Sequence, residues 1–373
     1  MRLAALVTAL LVAGPIASSE APAPADLTTV QWSWLPVPDA RCDDDTQTGL
    51  GVSPGTSPDL IVYLDGGGAC WTAEMCLEAR TSRRGPWREH ELRERIPRFG
   101  GTLFDRSEPR NPFRTWTYVF VPYCTGDVHS GNRAATYVTS SGERGTLQHR
   151  GRANVLAFAE RLARLFPETR RLVIAGSSAG GYGTLVNYDV LRRRWPGAKG
   201  YLVDDSGPAL RGLPAPRIRD AWWSAWGTPQ AVEALCPECA RDISEVWRAL
   251  SRRWPGDRIA FLSSVRDETM RWYLCVDADA FERALRATVG EVLEPLPNVR
   301  TFLVGSESHT MLNAPEEFGG SELWRWLSRM VEDDPGWSSR RPLEQDVADA
   351  HRIPKKPAEK APKPNPGCAS MGP

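Results

Sequence analysis

The 373-residue sequence carries no net charge, with 46 Lys and Arg set against 46 Asp and Glu. No field therefore draws it to nucleic acid or to an anionic membrane, and basic runs such as Arg192-Arg193-Arg194 suit solvated helix faces. An apolar run of the roughly 20 residues needed to cross a bilayer is also missing. The apolar stretch Leu3 to Ala17 is shorter, follows one positive charge and ends in small residues around Ala17 to Ser19, the pattern of a cleavable signal peptide. No cysteine follows closely enough for a lipid anchor. Internal repeats are absent, which excludes a solenoid. Histidine is scarce, at five residues, so few groups are available as an imidazole base.

Cysteine is not scarce. Eight are present, Cys42, Cys70, Cys76, Cys124, Cys236, Cys239, Cys275 and Cys368, and an exported chain meets an oxidising compartment where disulfides are the default. Cys236-Pro-Glu-Cys239 has the spacing of a zinc knuckle or a redox pair. No second CxxC and no closely spaced His pair completes a metal site, so no metal is expected.

Composition divides the chain into a signal peptide (1–19), an Ala/Pro linker (20–29), a main domain (30–336) and a Pro/Lys-rich tail (337–373) whose composition predicts disorder. Within the domain, β-rich runs at 60–67, 117–123, 171–178, 200–206, 258–265 and 300–306 alternate with helical spacing. Continuous apolar strands separated by helices predict an α/β fold, with a mostly parallel central sheet covered by helices on both faces. In such sheets ligands bind beyond the carboxyl ends of the strands. Those ends carry Gly66-Gly67-Gly68, Cys124 to Asp127, Ser178, Asp204 and Asp205, Asp267, and His309.

Gly176-Ser177-Ser178-Ala179-Gly180 fits G-x-S-x-G, the strained strand-to-helix turn that projects a nucleophilic serine above the sheet. A phosphate-cradling loop is the alternative, but the P-loop lysine is missing. Ser178 is the candidate nucleophile and needs an imidazole base and a carboxylate to orient it. His90, His149 and His351 lie in polar or tail segments and read as surface groups. His129 follows a strand but precedes the serine, whereas His309 follows the last strand and gives the order Ser, acid, His. Asp267, just past the strand before that of His309, is the candidate acid, with Asp204 and Asp205 as structural residues or as the fallback. Ala179 and the glycine run supply oxyanion donors, at Gly67, Gly68 and Ala179.

These segments resemble the pectin acetylesterase and Notum family of secreted carboxylesterases. The resemblance is carried by "LDGGGACWTAEMC", "VPYCTGDVHSG", "GSSAGGYGTLVNYD", "VDDSG" and the acid and histidine segments, from about Val30 to Trp326. It implies an α/β-hydrolase fold, ester hydrolysis without a cofactor, catalytic Ser178, Asp267 and His309, and the oxyanion positions above. It also implies the bridges Cys70–Cys76 and Cys42–Cys124, with Cys236–Cys239 a third and Cys275 and Cys368 unassigned. Asp65 stands where the family has Glu and His129 where Trp is common, so the mouth of the pocket is expected to differ. The stretch 207–257, with Trp222, Trp223 and Trp226, is expected to form a lid-like insertion. Trp71, His129 and Trp223 are candidate substrate contacts, while most of the 15 tryptophans are expected to pack.

The function expected is a secreted or periplasmic serine carboxylesterase, monomeric, acting on a small-molecule or polysaccharide ester with a short acyl group such as acetyl. A long-chain lipid or protein-lipid esterase is the alternative. A non-catalytic binding module on the same fold is the alternative from another class.

Overall fold

The computed structural model describes residues 31–342 and 364–369. The signal peptide, the linker and most of the predicted tail lie outside them. Among the described residues ten strands form, β1 (Ser33–Arg41), β2 (Gln47–Ser53), β3 (Leu60–Leu64), β4 (Thr117–Val121), β5 (Arg133–Val138), β6 (Arg144–His149), β7 (Arg171–Ser177), β8 (Lys199–Asp205), β9 (Arg258–Ser264) and β10 (Val299–Val304). The helices are α1 (Glu89–Arg95), α2 (Gly151–Leu165), α3 (Ala179–Arg192), α4 (Pro216–Trp226), α5 (Pro229–Glu233), α6 (Glu245–Arg253), α7 (Glu268–Leu274), α8 (Ala278–Thr288) and α9 (Ser321–Val331).

Eight strands make one sheet in the order β1-β2-β4-β3-β7-β8-β9-β10, with β5 and β6 forming a separate hairpin. The six apolar runs are its parallel strands, from β4 across to β10. Along β3, Leu60, Val62 and Leu64 enter one core while Ile61 and Tyr63 enter the other. A strand buried on both faces reads as continuously apolar for this reason. Phe158 of α2, Leu185 of α3, Leu250 of α6 and Leu285 of α8 fill the first core, and Leu92 of α1 and Leu327 of α9 the second. The antiparallel β1–β2 edge escapes such a reading. β1 contains Pro36 and Pro38, tolerated at an edge because no further strand needs their missing N–H groups.

The chain runs from β3 to β4 on one side, then returns to place β7 on the other side of β3. This reversal opens a crevice beyond the carboxyl ends of β3 and β7, the general position for a ligand site. The glycine run follows β3 and Ser178 follows β7, so topology alone brings them together.

Two boundaries of the sequence reading change. α6 packs on the central sheet, with the Trp247 ring 5.3 Å from that of Phe261 in β9, whereas the segment that reaches the crevice is that of α4, through Trp222. That segment is docked: Trp226 Nε1 donates to the Cys70 carbonyl at 2.8 Å and the Ser130 and Thr228 hydroxyls pair at 2.9 Å. The tail expected from residue 337 is ordered over its described parts. Trp337 is buried against Trp326 at 5.2 Å, and Arg340 exchanges backbone hydrogen bonds with β10 through Thr301 and Leu303. A single helical turn, Pro366–Ala369, is held by a Cys275–Cys368 disulfide. Burying an indole, pairing a sheet edge and cross-linking each order a chain that its Pro/Lys composition cannot.

Candidate active site

Ser178 sits between β7 and α3 at φ 60° and ψ −120°, a strained conformation for a residue with a side chain. Its N–H is fixed to the Asp205 carbonyl at 2.7 Å. α3 can begin this close to β3 because Gly180 has no side chain: a Cβ there would strike the carbonyl oxygen of Leu64. The turn has the form of a nucleophile elbow.

Asp267 and His309 come together across two strand ends. Asp267, fully buried, caps α7 by accepting the Met270 N–H at Oδ1 (2.9 Å), and its Oδ2 meets His309 Nδ1 at 2.7 Å. The imidazole Nε2 is buried and makes no hydrogen bond among the described residues. Burial lowers the His309 pKa, but the charge and hydrogen bond of Asp267, aided by the charge of Asp205, outweigh it, and the net shift is upward. The arrangement leaves one nitrogen oriented by a carboxylate and the other without a partner, as a general base requires.

The neighbouring aspartates have other employment. Asp205 accepts the Ser177 hydroxyl at 2.6 Å and the Met311 and Leu312 N–H groups at 2.8 and 2.9 Å. It thereby joins the serine turn to the histidine loop, while burial raises its pKa. Asp204 accepts the Gly207 N–H at 2.8 Å, and burial holds its carboxyl well above the usual range.

A pocket of about 300 Å³ of empty space opens at Ser178. Gly68 and Ala69 line it from the loop after β3, Ala179 and Tyr182 from α3, Met270 and Tyr273 from α7, Trp222 from α4, together with Val128. Gly68 takes φ 79°, in the region that favours glycine, and packs under the Tyr273 hydroxyl, which donates to the Thr81 carbonyl at 2.5 Å. Gly67, the other predicted oxyanion residue, does not line this pocket. The Arg83 side chain packs over it while ion-pairing with Asp65 at 2.6 Å.

The predicted substrate contacts fare unevenly. His129 is buried, with Nε2 at 2.9 Å from the Asp65 carbonyl, and burial lowers its pKa. Positive φ at both Val128 and His129 turns the ring inward and leaves Val128 at the pocket. Trp71 stands behind the wall, 5.2 Å from the Trp222 ring, and Trp223 lines a neighbouring void rather than the one at Ser178. His149, read as a surface group, is fully buried between the Tyr137 hydroxyl and the Thr125 carbonyl, each at 2.7 Å. His90 is exposed, and His351 lies outside the described residues. Cys42–Cys124, Cys70–Cys76 and Cys236–Cys239 are disulfides, and Cys275 and Cys368 form the fourth.

The profile of the pectinacetylesterase family matches residues 20–211, just over half of the 373-residue chain. The chain belongs to this family. It is 32% identical over 182 residues to pectin acetylesterase 4 of Arabidopsis thaliana, covering 47% of this chain and 42% of that protein. It is 34% identical over 155 residues to the palmitoleoyl-protein carboxylesterase NOTUM of Homo sapiens, covering 40% of this chain and 29% of that one. The matched stretch thus spans less than half the length of these curated relatives. Among solved structures, the Wnt deacylase Notum from Drosophila aligns with a TM-score of 0.54 at 18% identity, over 83% of this chain and 97% of that chain. The shared fold is the α/β-hydrolase fold.

The family match contains the glycine loop and Ser178 but ends before Asp267 and His309. Those two rest on their own geometry. Missing from the sequence reading were Val128, Tyr182, Met270 and Tyr273. Two of them carried a signal: Asp267, Met270 and Tyr273 recur every three residues, so a helix capped by Asp267 puts one face toward the pocket.

Proposed function

We propose that this pectinacetylesterase-family chain is an exported serine carboxylesterase that cleaves an O-acyl ester through Ser178, His309 and Asp267. The observation that carries the reading is the 2.7 Å Asp267–His309 pair, with Nε2 left unpartnered among the described residues and the helix that Asp267 caps lining the Ser178 pocket through Met270 and Tyr273. His309 Nε2 takes the Ser178 proton as Oγ attacks the ester carbonyl carbon. The oxyanion is received by backbone N–H groups of Gly68 and Ala179, with Gly67 the third position proposed for this role. The tetrahedral adduct collapses, the C–O bond to the alcohol breaks, and the imidazolium returns the proton to the departing oxygen. Water then attacks the acyl-enzyme, giving its proton to His309, and the acid leaves as Ser178 regains a hydrogen. No cofactor enters these steps.

The enclosed part of the pocket at Ser178 has room for about one water-sized group, which supports a short acyl group such as acetyl on a small or polysaccharide alcohol. Four disulfides support export to an oxidising compartment. The test is labelling by a fluorophosphonate together with hydrolysis of p-nitrophenyl acetate and release of acetate from acetylated pectin. Wild type should label and turn over, and Ser178→Ala should do neither. A folded wild type that neither labels nor hydrolyses any ester would leave a non-catalytic binding module as the better reading.

A further inference from the structure

Two apolar voids meet at one tryptophan. The inner void holds Ser178, and the outer, about 410 Å³ of empty space, is lined by Val186, Pro214, Trp223, Trp226 and Ile243 among others. Val128, Tyr182 and Trp222 line both, and so form the partition between them. Two of the three are anchored by polar contacts: the Tyr182 hydroxyl donates to the Pro208 carbonyl at 2.8 Å, and the Val128 N–H to the Tyr123 hydroxyl at 2.9 Å. Trp222 is held by rings, with Trp71 at 5.2 Å, Trp226 at 5.6 Å and Tyr182 at 6.3 Å. Its indole N–H is buried and makes no hydrogen bond among the described residues. Truncating it therefore removes packing without orphaning a partner.

We propose that Trp222 caps the length of the acyl chain accepted at Ser178, by closing the inner void from the outer one. The proposal rests on the reading that Ser178 is acylated. Ser178 lines only the inner of the two voids, so an acyl group seated there reaches the outer apolar space only past the partition that includes Trp222. Both voids are walled mainly by aliphatic and aromatic side chains, with Arg219, Ser130 and Thr228 the charged and hydroxyl-bearing members of the outer one, so what a merged channel would take is mostly hydrocarbon. Each further methylene it buried would raise kcat/KM by about fourfold. The capping residue comes from α4, whose buried positions Ile218, Trp222 and Trp226 recur every four residues on one helix face. The segment covering the crevice thus supplies the specificity wall as well as the roof.

The test measures kcat/KM for p-nitrophenyl esters from acetyl to dodecanoyl in wild type, Trp222→Ala and Trp222→Leu. Wild type should peak at four carbons or fewer. In Trp222→Ala the octanoyl-to-butanoyl ratio should rise by up to about 250-fold, as four more methylenes find a channel, and adding Val186→Phe should lower it again by refilling the outer void. An unchanged ratio in a folded Trp222→Ala protein, or a wild-type optimum at eight carbons or longer, overturns the proposal. Should Trp222→Ala fail to fold, Trp222→Leu carries the same comparison. Calorimetric titration of decanoate separates this idea from the catalytic one, because it needs no turnover. Ser178→Ala should not take it up and Ser178→Ala/Trp222→Leu should. Equal binding by both sinks the partition, whereas loss of all esterase activity alongside that binding difference sinks only the acyl-enzyme reading.

Discussion

Oδ1 of Asp205 accepts the backbone N–H of Met311 at 2.8 Å, two residues past His309. With Leu312 bound to the other oxygen, this carboxylate positions the histidine loop without meeting the imidazole. Asp205→Asn puts an amide donor where an N–H already points, so it should cost about 1–3 kcal/mol of stability and lower kcat through a displaced loop. Asp267→Asn is predicted to do the reverse. Asparagine caps a helix as well as aspartate does, so α7 should survive. Its NH₂, however, would donate to His309 Nδ1 and leave the proton on Nε2, the wrong tautomer for a base, with a kcat loss on the order of 10⁴. Melting temperatures and kcat for both variants decide this. A stable, active Asp267→Asn beside a stable, dead Asp205→Asn would move the acid role to Asp205.

The upward shift at His309 sets opposite pH trends for activity and stability. The base must be neutral, so kcat/KM on a simple ester should fall on acidification through a pKa above the ordinary 6.5 of imidazole. Stability behaves inversely, because a folded pKa above the unfolded one favours the protonated pair. That contribution is fully present below about 6.5 and is lost as pH rises through the raised pKa. Denaturation midpoints of wild type and His309→Ala across this window should converge toward alkaline pH. An inflection in kcat/KM below 6 would contradict the assignment.

The parallel strands, the elbow and the Ser, Asp, His order were legible because each has a local cause. Strands buried on both faces are continuously apolar, and the elbow demands small residues around one serine. What escaped depends on distant contacts. His149 reads as solvated among polar neighbours and His129 as a substrate contact, yet both are buried, bonded to the carbonyls of Thr125 and Asp65 that only the folded chain delivers. Trp337 and Cys368 lie in a segment whose average composition hides two residues with specific partners. Trp222 reads as one of several lid aromatics until two voids are seen on either side of it.

Cys70–Cys76 and the loop that carries Gly68 and Ala69 give a third prediction. A bridge spanning six residues contributes only about 2 kcal/mol by the chain-entropy argument, but it sits beside two pocket-lining residues. The Cys70 carbonyl also accepts Trp226 Nε1. The Cys70→Ser/Cys76→Ser protein should melt only slightly earlier and lose much of its kcat. Unchanged kinetics would mean that hydrogen bonds alone hold the loop.

Cys275–Cys368 is different in kind, because it closes a span of 93 residues and ties a distant segment to the acid-bearing helix. α7 begins at the Asp267 cap and ends at Cys275. Asn365, buried, donates to the Trp272 carbonyl at 2.9 Å, and Gly367 lies so close to Met75 and Trp71 that a Cβ would strike both. The turn Pro366–Ala369 therefore braces α7 against the segment that follows the glycine loop. A bridge of this span contributes up to about 4.7 kcal/mol by loop entropy, so Cys275→Ser/Cys368→Ser should unfold at distinctly lower denaturant. Its kcat should fall further than its KM rises, because the brace acts on Asp267 and not on bound substrate. A protease site engineered between 343 and 363 separates the covalent tether from chain connectivity. Cleavage there should leave kcat intact while the disulfide holds the turn in place, and mild reduction after cleavage should release the fragment and lower kcat. Full activity after its release would show that α7 needs no brace.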